Sequence, residues 1–211
     1  MTTAARLLCA AALLGIAALP SPADEPSQPA DDGAYLEKVE AMPDFCQTAP
    51  ALGSTRSEGA RWCGPAAVAN AIVWLDQHGY GELIGPEPVT PEVQADVVRE
   101  LASEDCMGTD EAGTPPKHVV RGIERYFARH GRGVEIETMG WRSRVRRIGR
   151  VPGIEWILRS ARGNSNIVLN LGWYTFDPQG QVYQRHDGHY VTVAGYERHG
   201  DKVSLHVHDP A

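Results

Sequence analysis

The sequence predicts an α+β domain with a mostly antiparallel sheet. Apolar residues recur at helical spacing from Cys63 to Gly131, whereas β-branched or alternating runs dominate from Val134 onward. The two textures follow one another without regular βαβ alternation, and that order selects α+β over a doubly wound parallel sheet. With 211 residues, 42% hydrophobic and 22% charged, the chain has the size and composition of one soluble globular domain.

Cys63 to His78 reads as the first helix, with Val68, Ile72 and Leu75 on one face and Gly79 just past its end. Thr90-Pro91-Glu92 opens the second: Thr90 is placed to cap, Pro91 takes the first helical position, and Val93, Val97, Val98 and Leu101 form the apolar face. Thr114-Pro115 repeats that start signal before Val119, Ile123, Tyr126 and Phe127, and Gly131 ends the third helix. Ile154 to Arg162 is a fourth, shorter helix. The strands are Val134 to Thr138, Ile167 to Trp173, Val182 to Arg185, His189 to Tyr196 and Val203 to His208. Turns separate them at Asp177-Pro178-Gln179-Gly180 and His199-Gly200-Asp201.

Ahead of the domain, Arg6 precedes an apolar run from Leu7 to Leu19, and Ser21-Pro22-Ala23 puts small residues at the −3 and −1 positions of a cleavage site. These are the three parts of a secretory signal peptide covering residues 1–23. The run is shorter than the roughly 20 apolar residues of a spanning helix. An uncleaved N-terminal anchor is the competing reading. Cleavage removes one positive charge, taking the net charge from −7 to −8, and leaves an exported acidic chain with no stable membrane anchor. That charge argues against a nucleic-acid partner held through phosphates. Residues 24–33 are rich in Pro, Ser, Asp and Ala and read as a disordered leader to the domain at 34–211.

Trp62-Cys63-Gly64-Pro65-Ala66-Ala67 sets a cysteine at a helix start, where unpaired N–H groups and the helix dipole favour a thiolate. Gly64 spares side-chain bulk beside the sulfur, leaving room for a substrate carbonyl, and Trp62 could line a subsite. Gly188-His189 begins the strand that runs to Tyr196, so an imidazole stands where it can act as base. Asp209, before Pro210, can orient that ring as the third member of the set; a plain turn residue is the alternative. Of the cysteines left after cleavage, Cys63 needs a free thiol for this chemistry, which makes Cys46–Cys106 the natural pair if one disulfide forms. Such a bridge would close a loop of about 60 residues, and three reduced cysteines are the competing reading.

The Cys63-Gly64-Pro65 helix start, the Gly188-His189 strand with its Val-Ala-Gly-Tyr ending and Asp209-Pro210 together resemble papain-fold cysteine peptidases. The similarity is strongest to bacteriocin-processing (double-glycine leader) peptidases and their exported relatives, in the order Cys, His, Asp, over roughly residues 60–210. The resemblance implies a papain-like α+β fold in which the nucleophile begins a helix packed on an antiparallel sheet. It further implies Cys63 as nucleophile, His189 as base, Asp209 as orienter, a peptide or protein substrate, and no metal or cofactor. That family usually carries an oxyanion-binding glutamine six residues before the nucleophile. Here that position is Ser57, which with the Cys63 N–H could donate instead; Gln47 lies 16 residues upstream, within reach only through an unusual loop. A catalytically weak or inactive papain-fold binding module is therefore the alternative function.

Among the remaining features, His206 and His208 share one strand face, and with His186 and His189 they suggest a metal site; the favoured reading puts them on the solvated side. Arg142, Arg144, Arg146, Arg147 and Arg150 read as a solvated loop, and Trp141, Trp156 and Trp173 as core or cleft-wall aromatics.

Overall fold

The computed structural model describes residues 12–17, 33–53, 59–140 and 152–211. Their order is strand β1 (Ala12–Ala17), β2 (Gly33–Tyr35), helix α1 (Glu37–Ala41), a 3-10 turn (Pro50–Leu52), α2 (Cys63–Gln77), α3 (Pro91–Ala102) and α4 (Pro116–Arg129). Then follow β3 (Glu135–Met139), α5 (Ile154–Ala161), β4 (Ser165–Asp177), β5 (Val182–His199) and β6 (Lys202–His208). The architecture is mixed helix and antiparallel sheet, so the α+β class holds.

The long strand β5 organises the sheet. It pairs with β4 from Val182 to Val193, and β2 takes over that edge at Tyr196–Arg198. Its other edge carries β6, and β1 lies between β4 and β3; every pairing is antiparallel. Side chains alternate across the sheet and feed two cores. Val168 and Tyr190 join the large cluster built with α2, α3 and α4. Ile167, Leu169, Val191, Val193 and Tyr196 join a second cluster with Trp156, Leu158 and Ala161 of α5. Helices thus cover both faces, which explains why β4 and β5 read as apolar runs rather than strict alternation.

Helix α2 is buried along its length because Ala66, Ala67, Ala69 and Ala71 let it lie flat against the sheet and its neighbours. The Thr192 hydroxyl of β5 donates to the Ala67 carbonyl at 2.7 Å, tying the helix to the strand. Gly122 serves the same end in α4: a Cβ there would stand 2.3 Å from Met107 Cγ.

Several expectations need correction. Val182 to Arg185 and His189 to Tyr196 are one strand, with His186 as an extra residue where the pairing shifts between Trp173 and Tyr174. Thr90 caps α3 as expected, its hydroxyl accepting from Val93 N at 3.3 Å. Thr114 does not cap α4; its hydroxyl bonds Thr109 at 2.7 Å and Pro115 takes the capping position. Cys46 and Cys106 are not bridged, and both are free. Cys46 contacts the Thr48 hydroxyl at 3.1 Å in a partly exposed turn, whereas Cys106 is fully buried with Arg129 against its sulfur.

His208 is buried rather than solvated, because its ring sits 3.0 Å from both the Pro43 and Val39 carbonyls, while His206 pairs with Glu197 at 3.3 Å. Ala12–Ala17, inside the run read as a signal peptide, form β1. Gly33, read as the last residue of the leader, begins β2, a strand that the sequence reading did not anticipate. The rest of that leader, Ser57, Trp141 and the arginine run at 142–150 lie outside the described residues.

Candidate active site

Cys63 is the first residue of α2, and the helix closes its first turn with Ala66 N–H on the Trp62 carbonyl at 2.9 Å. The thiol is buried at the mouth of a cleft of about 420 Å³, within the size range of small-ligand sites. His189 enters from β5, where its position is fixed by burial of Tyr190, Val191 and Val193 immediately after it. The Cys63 side chain faces the imidazole closely enough to interact with it. On the other side, His189 Nε2–H donates to Asp209 Oδ1 at 2.5 Å, leaving Nδ1 for the sulfur. Cysteine, histidine and aspartate thus form one contiguous relay, assembled from a helix start, a strand and the end of the next strand.

Electrostatics follow from these contacts. The interaction with Cys63, opposed by burial and reinforced by Asp209, lifts the His189 pKa to about 9. An imidazolium therefore stands beside the sulfur at neutral pH, the charge that stabilises a thiolate. Burial pushes the Asp209 carboxyl up, but the His189 bond and the Ala211 N–H at 3.0 Å outweigh it and hold the carboxyl below its ordinary value. Asp209 keeps 55% of its side chain exposed, so this pair adds little to stability and serves to orient the ring.

The other expected site residues divide. Gly64 faces the protein, not the sulfur's open side: a Cβ there would meet Thr114 Cβ and Oγ1 at 3.3 Å and Tyr190 at 3.4 Å. Its bareness lets α2 approach the wall formed by those two residues, which the Tyr190 hydroxyl locks by donating to the Thr114 carbonyl at 3.0 Å. Trp62 packs against the large core, and Trp156 is buried in the second. Trp173 is 42% exposed with its ring centre 6.0 Å from that of His189, but it does not line the cleft, whose aromatic is Tyr190. Among the described residues, no three His, Cys, Asp or Glu side chains are grouped as a metal site.

Of three further residues near the relay, Asn170 and Arg185 were not legible as site residues, and Gln47 was expected within reach only through an unusual loop. Gln47 is buried, and its backbone N–H donates to the Pro210 carbonyl at 2.7 Å, one residue from Asp209. Its side-chain Oε1 has no hydrogen-bond partner among the described residues. A buried amide left so is costly unless something else engages it. Counted along the chain Gln47 is remote, and only the pairing of its segment with the chain after β6 brings it to the site. Asn170 and Arg185, from β4 and β5, line the same cleft as Cys63. Comparison with protein-family models, curated protein sequences and solved structures returned no match.

Proposed function

We propose that this chain is an exported, papain-like thiol-dependent peptidase or related amide hydrolase or acyl transferase. The observation that carries this reading is the juxtaposition of Cys63, which lines a cleft, with the His189 imidazole, itself hydrogen-bonded to Asp209. The thiolate attacks an amide carbonyl, and the amine leaves with the proton carried by His189. A water or a second amine, deprotonated by the now neutral imidazole, then releases the acyl group from sulfur. Asp209 holds the ring with Nδ1 toward the sulfur. The developing oxyanion receives the Cys63 N–H and, as second donor, the Gln47 side-chain Nε2–H, a role supported by the seat of the Gln47 segment beside Pro210. The substrate is a peptide or protein segment, and export rests on the Arg6, apolar-run and Ser21-Pro22-Ala23 pattern.

Alkylation by iodoacetamide and hydrolysis of a peptide library test the reading together. Cys63→Ala should abolish hydrolysis and remove the fast-reacting thiol, leaving only slow labelling at Cys46. Gln47→Ala should keep the fast thiol and lower kcat by about 10²–10³, the usual cost of one oxyanion donor. Fast labelling that persists in Cys63→Ala would overturn the assignment.

A further inference from the structure

Arg185 lies on β5 four residues before His189, and the sheet is carved to hold it. A Cβ on Gly188 would stand 2.1 Å from Arg185 Nη2, and one on Gly172 would stand 3.1 Å from its Nε. The two glycines, opposite one another across β4 and β5, form a trough in which the guanidinium lies. Nη2 donates to Asn170 Oδ1 at 2.7 Å and to the Leu171 carbonyl at 3.4 Å, and Nε donates to the Asp187 carbonyl at 2.9 Å. Asn170 is itself buried, so the seat is rigid.

Every one of those acceptors is neutral. Arg99, Arg129, Arg132 and Arg198 each pair with a carboxylate, whereas no carboxylate among the described residues pairs with Arg185. Asp187, the nearest acid in sequence, turns its Oδ1 onto the Gly188 N–H at 2.7 Å instead. A guanidinium seated in the cleft that holds the nucleophile, with no carboxylate partner among the described residues, is a receptor for a carboxylate, to which its Nη1 hydrogens, not used in the bonds above, can donate. Arg61 lines the same cleft, as do the carboxylates of Glu111 and Asp187, so the preference comes from the seat of Arg185 and not from the net charge of the cleft.

We propose that Arg185 is the specificity-determining residue of this cleft, and that the substrate is a peptide bearing an aspartate or glutamate side chain beside the bond that Cys63 attacks. The proposal rests on the thiol-peptidase reading for its meaning, but its test does not require turnover. Acetylated oligo-alanine peptides amide-capped at the C-terminus, with a single Glu or Gln walked along the sequence, are titrated against the full chain carrying Cys63→Ala. At one position Glu should bind about tenfold more tightly than Gln, the gain of one charge-assisted hydrogen bond. Adding R185Q should erase that preference. R185K, which keeps the charge but loses the bonds that seat the guanidinium, should retain only part of it.

Equal binding of Glu and Gln peptides at every position, or a Glu preference that survives R185Q, would overturn the proposal. So would no binding of any peptide up to millimolar concentration. If R185Q does not fold, the unsubstituted Arg185 chain decides: a Glu preference that falls with added salt and is weakened in R185K sustains the assignment, and a salt-insensitive one overturns it. Failure of the enzymatic reading shows instead in Cys63 alkylation and hydrolysis, which this titration does not use.

Discussion

His189 shows how much one side chain's neighbours decide. Its pKa is raised from 6.5 to about 9, first by the interaction with Cys63, against burial, and with help from Asp209. A folded value above the unfolded one means that the contribution to stability is complete below about 6.5 and is lost as pH rises through about 9. For Asp209 the shift is downward, so its contribution is present above about 3.8 and is lost as pH falls below that. Catalysis should follow the same imidazole: kcat/KM for peptide hydrolysis should fall on the alkaline side near pH 9. Asp209→Asn removes one of the raising contacts, so that alkaline limb should move to lower pH. A limb that stays in place would show that Asp209 does not act through the ring. Lys38 is the opposite case, a fully buried lysine of α1 whose burial lowers its pKa to about 7. It survives there because Nζ reaches the Ser165 carbonyl and Asn166 Oδ1 at 3.2 Å and lies 4.3 Å from the Trp74 ring centre.

Between elements, the critical distance is that from the start of α2 to the start of the apolar half of β5, since these carry sulfur and imidazole. Thr192 sets it: the residue is fully buried, and its hydroxyl grips the Ala67 carbonyl one helical turn beyond Cys63. Thr192→Val keeps the volume and removes that bond. The loss should be about 0.5–1.5 kcal/mol, seen as a drop of a few degrees in Tm. kcat/KM should fall as well, because the helix is then free to shift against the strand. Unchanged kcat/KM with a lowered Tm would show that packing of the alanine-rich helix alone holds the register. The four main helices were legible from apolar spacing, helped by a Pro start at Pro91 and Pro115 and by a Gly stop at Gly79 and Gly131. The break expected within β5 was not. Gly188 and the polar run before it mark a turn in the sequence, while the structure uses Gly188 as bare surface for Arg185 inside one continuous strand.

Across the whole molecule, the apolar run near the N-terminus carries two meanings. Hydrophobicity without charge suits the core of a signal peptide, and it equally suits a strand such as β1, flanked on both edges by β4 and β3. Cleavage after Ala23 would remove β1 and leave the inner edge of β3 without its partner. Processing after Ala23 predicts a mature chain beginning at Asp24, which mass spectrometry checks. Hydrogen exchange of Glu135–Met139 should then be faster in that chain than in the uncleaved one. A first residue of Met1 would refute processing and assign the segment to the sheet.

From the sequence alone came the α+β class, the four main helices, most of the sheet, and Cys63, His189 and Asp209 as a set. Those are carried by local periodicity, by caps and by residue chemistry, which act over a few positions and leave their mark in order along the chain. Folding decided the rest: that Gln47 comes to Pro210, that Cys46 and Cys106 stay apart, that His208 is buried beneath two carbonyls, and that two glycines cradle Arg185. Each of these depends on which distant segments pack together, and packing is set by the sum of burial over the whole core rather than by any neighbouring residue.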